Sequence, residues 1–514
     1  MKRLMMGGLL GVTMLLATPA ILPILAQRSY AQTSQTQAAQ LQQLIDLGLQ
    51  QTQQGQPLQA IETLKQALAI AQSIQNREGE AFANLFLGFN YNRIGEPQAA
   101  LNFYHQAVRL FQEVNERNWE ATTLHNIGFV YSAIGQPQEA LTYFQQALTI
   151  RREVRDRRGE ATTLNNIGLV YSAIGKPQEA LTYYQQALPI RREVRDRRGE
   201  ATTLNNIGGV YGAIGEPQEA LTYYQQALTI RREVSDRAGE ATTLNNIGAV
   251  YRAIGEPQEA LTYYQQALPI WREVRDRRGE AATLHNIGGV YGAIGEPQEA
   301  LTYYQQALTI RREVRDRAGE ATTLNNIGLV YSDIGEPQEA LTYYQQALPI
   351  LREVSDRAGE ATTLNNIGAV YGDIGQPQQA LTYYQQALPI LREVSDRAGE
   401  ATTLNNIGAV YSAIGQPQEA LTYYQQALPI RREVSDRAGE ATTLNNIGAV
   451  YSDIGQPQQA LTYFQQALPI LREVSDRRQE ATTLNNIGFV YSAIGQPQQA
   501  LTYLTASITH YAGK

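Results

Sequence analysis

Few side chains in this sequence have the types and spacing that catalysis or metal binding requires. Histidine, the usual general base and metal ligand, occurs only as His105, His125, His285 and His510 in 514 residues. His125 and His285 hold the same place in a repeating pattern but lie four copies apart, too far to share a metal ion. There is no cysteine, which excludes disulfides, thiolate zinc sites and a lipidated N-terminal cysteine. No glycine-rich loop runs into Gly-Lys-Ser/Thr, so no phosphate cradle is present. The serines have no histidine near them in sequence, and the recurring Asp and Glu are expected at helix caps and on solvent faces. No catalytic residue, metal ligand, cofactor or small-molecule substrate is therefore assigned. What does recur is an amide, at Asn126, Asn166, Asn206, Asn246, Asn286, Asn326, Asn366, Asn406, Asn446 and Asn486. Each offers two donors and an acceptor, so a row of ten suits the backbone of an extended peptide whatever its side chains. The alternative is that these asparagines belong to a copied unit and bond neighbouring helices.

The elements that must position them are written in the period. From Leu41 the chain repeats every 40 residues without insertion or deletion, as in Ala401–Glu440, ATTLNNIGAVYSAIGQPQEALTYYQQALPIRREVSDRAGE. Twelve repeats start at 41, 81, 121, 161, 201, 241, 281, 321, 361, 401, 441 and 481, and the last has 34 residues. Such self-similarity marks a solenoid or a propeller. Leu404, Ile407, Tyr411 and Ile414 follow 3,4,3 spacing, as do Ala420, Tyr424, Ala427, Ile430 and Val434. Both halves of the repeat therefore read as helices with one apolar stripe, and nothing alternates with period two. Twelve of the 20 prolines, Pro57 to Pro497, stand two residues after a glycine such as Gly415. Glycine closes one helix and proline opens the next, so Gly-x-Pro is the turn from helix A to helix B. Six others (Pro189, Pro269, Pro349, Pro389, Pro429, Pro469) fall late in helix B, where the stripe continues beyond them. They predict a bend rather than a stop. Asp436 is placed to cap the following helix A.

Leu124, Ile127, Gly128, Tyr131, Ala140, Phe144 and Ala147 have the offsets of the tetratricopeptide repeat signature. The chain resembles that family over nearly all of residues 41–514. With six residues beyond the usual 34 and a Leu-Asn-Asn run, it is similar to the kinesin light chain-like subfamily and to exported repeat proteins of cyanobacteria and other bacteria. The resemblance implies an all-α solenoid of helical hairpins, about twelve repeats wound into a right-handed superhelix on the order of 100 Å long. It implies a concave wall made mainly by helix A, with the ten asparagines on it. The carboxylate-binding form of that groove needs Lys or Arg around the asparagine, which is missing here, so an internal peptide segment is the expected ligand. The first repeat departs from the signature, with Gln51 where the tyrosine belongs.

Differences between copies concentrate at a few positions. One holds Phe129, Leu169, Gly209, Ala249, Gly289, Leu329 and Phe489; two others hold Ser132, Gly212 or Arg252, and Ala133, Asp333, Asp373 or Asp453. These are expected on the groove wall, tuned or drifting while the core stays constant. A further variable site, with Arg151, Trp271 or Leu351, is expected on an outer ridge, and Arg195, Arg197 and Arg198 where helix B ends. Charge shifts along the chain, from +1 and +2 in repeats 121–160 and 161–200 to −4 in repeat 321–360. The total is −7, and near −10 without Lys2, Arg3 and Arg28, which disfavours nucleic acid as a partner. Met1–Ala31 reads as a secretory signal peptide: a basic start, an apolar run from Leu4 to Leu16, and a cut between Ala31 and Gln32. If uncut, Leu4–Ala26 is long and apolar enough to anchor the chain in a membrane. Residues 32–40 form a short Gln-rich lead-in. The sequence thus points to an exported, non-enzymatic scaffold in the periplasm or outside the cell, holding an unidentified protein or peptide. The other reading is a self-associating structural array of the envelope.

Overall fold

The computed structural model describes the backbone of residues 32–512 and the side chains of residues 36–508. The expected signal segment with Ala31 and the side chain of His510 lie outside them. Residues 32–40 are part of helix α1 (Gln32–Gln53). All other elements among the described residues are helices too, 24 in all, paired as one hairpin per 40-residue repeat. They form two compact units that divide between Gly279 and Glu280. The expectation of a tetratricopeptide-type helical-hairpin solenoid is met in each.

The repeat starting at 161 shows why the sequence folds this way. Helix A, α7, spans Arg157–Ala173 and helix B, α8, spans Pro177–Glu193, 17 residues each. Between them, Gly175 sits at φ +74° and the N–H of Lys176 reaches back to the carbonyl of Tyr171 at 2.9 Å. This closes α7 as glycine allows, and Pro177 opens α8 where its missing N–H costs nothing. Asp196 then caps the next helix A, α9 (Arg197–Ala213), accepting from the N–H of Gly199 at 3.0 Å. Asp436 does the same for Gly439 at 2.8 Å, as expected. The second turn has no glycine. Arg155, Ser235 and their equivalents adopt φ between 52° and 59°, a conformation that costs a non-glycine residue about 1–2 kcal/mol.

Packing follows the stripes. A Cβ on Gly168 would lie 2.6 Å from the Tyr184 ring, so only glycine lets the two helices of the hairpin touch. Between repeats, Ala140, Phe144 and Leu148 of helix B α6 (Pro137–Glu153) meet Ala161, Leu164, Ile167 and Val170 of α7. The late prolines do not stop helix B: α8 runs through Pro189 to Glu193. They do redistribute its packing. Where threonine stands (Thr149, Thr229, Thr309), the later leucine is buried (Leu148, Leu228, Leu308; 1–2% exposed) and the earlier one (Leu141, Leu221, Leu301) is half-exposed. With proline, as in α8, Leu181 is buried at 6% and Leu188 is half-exposed. The two leucines exchange roles in five of the six proline-bearing helices; in α22 (Pro457–Glu473) Leu461 and Leu468 are both buried.

Three expectations about charge need correction. Asp156 and its equivalents are caps, but Glu160, Glu200 and Glu240 are buried at 4–5% rather than solvated. Glu160 is held by Arg152 from the preceding helix B at 2.9 Å and Arg157 at 2.6 Å, and Arg157 continues to Glu193 at 2.6 Å. A buried carboxylate persists only when paired in this way. Arg197 and Arg198 open helix A α9 instead of ending a helix B, because Arg195 already occupies the turn. The variable site holding Arg151, Trp271 or Leu351 is no outer ridge: these residues are 5%, 6% and 3% exposed, wedged between helix B and the next turn.

Candidate functional site

Helix A presents one open face. In α7 it carries Arg158, Thr162, Asn166, Leu169 and Ala173, spaced so that they align along the helix. All ten predicted asparagines lie on this face and all ten are half-buried. The variable residue three places on is beside them; Leu329 is 45% and Phe489 60% exposed, the placement expected of a wall that differs between copies. Asp333, Asp373 and Asp453 are exposed further along the same helices.

The asparagines are not independent of the fold. Asn206 Nδ2 donates at 3.2 Å to Oδ1 of Asn165, the first asparagine of the preceding repeat, and the Thr203 hydroxyl donates to the same oxygen at 3.1 Å. Asn246 and Thr243 treat Asn205 likewise, at 3.2 Å each. In the second unit Asn366 and Thr363 bond Asn325, and Asn446 and Thr443 bond Asn405. At Asn166, Asn206, Asn246, Asn326, Asn366 and Asn446 the row is therefore a ladder that ties one helix A to the one before it. Each of these rungs uses one amide N–H of the second asparagine, which has a second N–H and a carbonyl oxygen besides. Both readings of the asparagines thus describe part of the same side chain.

His125 replaces the first asparagine of one rung. Its Nε2 accepts from Asn166 Nδ2 at 3.1 Å, and Nδ1–H donates to Thr163 Oγ1 at 3.2 Å, which only the neutral ring satisfies. Burial, then the cations of Arg151 and Arg191, hold it well below the ordinary histidine value. Arg151 lies under the same rung, donating to Thr163 Oγ1 at 2.9 Å, and burial lowers it to about 10, still charged at neutral pH. No group of His, Asp or Glu that could hold a metal is found among the described residues.

Sequence reasoning singled out the second asparagine and missed the first, together with the threonine two places before it. Two signals were available. Thr163 has the same identity in every repeat from 121 onward, and the only substitute for the first asparagine is histidine, another side chain that accepts.

The tetratricopeptide repeat family model matches residues 41–113, 119–193, 159–233, 199–273, 239–313, 279–353, 359–433 and 439–512. No curated protein sequence matches the chain. Among solved structures, a signal transduction ATPase with numerous domains and a tetratricopeptide repeat sensor, from Pyrococcus horikoshii, is 14% identical at a TM-score of 0.55, covering 88% of this chain and 72% of that one. The apo quorum sensor NprR from B. thuringiensis is 16% identical at 0.49, covering 70% and 99%. A putative kinesin light chain with nearly identical repeats, from Podosopora anserina, is 22% identical at 0.34, covering 38% and 96%.

Proposed function

The chain belongs to the tetratricopeptide repeat family, and from that premise we propose that it is a non-enzymatic scaffold holding an extended peptide or partner protein along the helix-A face. The observation that carries this reading is the ladder. It fixes half-buried amides along one helix face, each with hydrogen-bonding capacity beyond its rung, and the variable positions of each repeat lie beside them. Backbone pairing to the amides would supply register, and residues such as Leu329 or Phe489 would supply selectivity. The family match covers repeats alone and brings no catalytic domain with it. We place the scaffold outside the cytoplasm, in the periplasm or beyond, on the signal-like Met1–Ala31.

The test compares residues 32–514 as bait with a variant carrying Asn246→Ala, Asn286→Ala, Asn326→Ala and Asn366→Ala, both immobilised against the native envelope fraction. A protein retained by the first and lost by the second, with the variant still folded by circular dichroism at the assay temperature, supports the helix-A face. Equal recovery by both sinks it.

A further inference from the structure

Two grooves of about 510 Å³ open in the first compact unit, away from the asparagine ladder and at equivalent places in repeats 121–160 and 201–240. The first lies between α6 and the α7–α8 hairpin. The second lies between α10 (Pro217–Glu233) and the hairpin of α11 (Arg237–Ala253) and α12 (Pro257–Glu273). No charged side chain lines either one. An ionised ligand would lose hydration there and gain no counter-charge.

The hydrogen-bond bookkeeping narrows the ligand further. Thr142 and Thr149 spend their hydroxyl protons on the carbonyls of Gln138 and Gln145, at 2.9 and 3.0 Å. Thr222 and Thr229 do the same with Gln218 and Gln225, at 2.9 Å each. All four therefore meet the groove as acceptors, and a ligand must donate to them. The amides of Gln146 and Gln226 are uncommitted and offer both donor and acceptor. Aromatic surface comes from Tyr171 and Tyr183, stacked at 5.4 Å, and from Tyr251 and Tyr263, also at 5.4 Å. A proline-rich segment, poor in N–H groups, leaves the threonines unmet. A sugar ring has a C–H face for tyrosine and hydroxyls that both donate and accept.

We propose that these grooves bind a neutral oligosaccharide, a function separate from the helix-A face. Each groove belongs to a repeat with threonine at the late position of helix B. In the proline-bearing repeats Leu181 and Leu261 are buried at 6% and 9%, and the Gln186 and Gln266 amides are tied to Thr182 and Thr262 at 3.3 Å. Proline thus withdraws both the leucine and the amide. Thr309, with Leu301 half-exposed, gives a third repeat of the open kind, in the second unit.

The experiment is calorimetric titration of the full chain with maltohexaose, cellohexaose and chitohexaose. Saturable binding of at least one is expected, weakened by about tenfold or more in Thr149→Pro/Thr229→Pro/Thr309→Pro. Six repeats already carry that proline, and circular dichroism checks that helicity is kept. Gln146→Ala/Gln226→Ala keeps the threonines and should weaken binding too, whereas the four-asparagine variant should not. No saturable binding by any of the three sugars overturns the proposal. So does binding that survives both groove variants, or a neutral serine- and glycine-rich peptide that takes the grooves while the sugars do not. None of these outcomes bears on the helix-A face, which the asparagine variant tests separately.

Discussion

His125 does for one rung, and His285 for another, what asparagine does for the rest, and His125 does so only while neutral. Its folded value lies below the ordinary 6.5, so the unfolded chain binds more protons between those two values. Stability is therefore level above about pH 6.5 and falls as pH drops through that window. His125→Asn should reduce the difference in urea midpoint between about pH 7.5 and about pH 5; an unchanged difference would show that the ring is not held neutral. Glu240 makes a second test at this scale. It is 5% exposed and paired with Arg232 at 2.8 Å and with Arg237. Glu240→Ala removes the buried carboxylate that joins two half-exposed guanidinium groups and should cost about 1.5–3 kcal/mol. Trp119 and Trp271, the two tryptophans of the chain, report its unfolding by fluorescence. A cost within about 0.5 kcal/mol, usual for exposed pairs, would mean that the carboxylate is solvated.

Among the elements, the two turns of the hairpin solve one problem in different ways. Both reverse the chain through a residue at positive φ, but the A-to-B turn uses glycine and the B-to-A turn uses Gln, Asn, Arg or Ser. Ser395→Gly should therefore stabilise the second unit by about 1 kcal/mol, read from the denaturant midpoint. Destabilisation would mean that the flexibility glycine gives the unfolded chain outweighs the relief of strain. The late prolines are a second element-scale device. Restoring threonine in Pro189→Thr returns an N–H to the helix and should exchange the exposure of Leu181 and Leu188. Slower hydrogen exchange across α8 is the expected reading. Exchange at the wild-type rate would show that the proline does not control this packing.

At the scale of the molecule, each hairpin packs on its sequence neighbours, and the ladder, the aromatic pairs and the Arg–Glu chain all advance one repeat at a time. Stability is then close to a sum of hairpin and interface contributions. Deleting residues 361–400 joins two interfaces of the kind already present, because Ala401 follows Glu360 as it follows Glu400. The shortened chain should keep cooperative unfolding and lose about one-twelfth of its helical signal. Deleting 20 residues places helix B against helix B and should leave a poorly folded product; equal tolerance of both deletions would contradict nearest-neighbour packing.

The sequence by itself determined the helices, their turns and their caps. These depend on local chemistry: a 3,4 apolar period, glycine before proline, and aspartate at the start of helix A. It also placed the ten asparagines on one face, since spacing along a helix decides that alone. Only the tertiary structure decided what those asparagines touch. Asn165 and Asn206 are 41 residues apart in sequence and meet because adjacent hairpins stack. The same holds for Glu160, whose polar type reads as solvent-facing until two arginines, one from the preceding helix, are seen to enclose it. It holds again for Arg151, Trp271 and Leu351, whose mixed character looks like surface variation until the next turn covers them. Burial and pairing depend on the neighbouring hairpin, and a periodic pattern within one helix carries no record of where that neighbour's side chains fall.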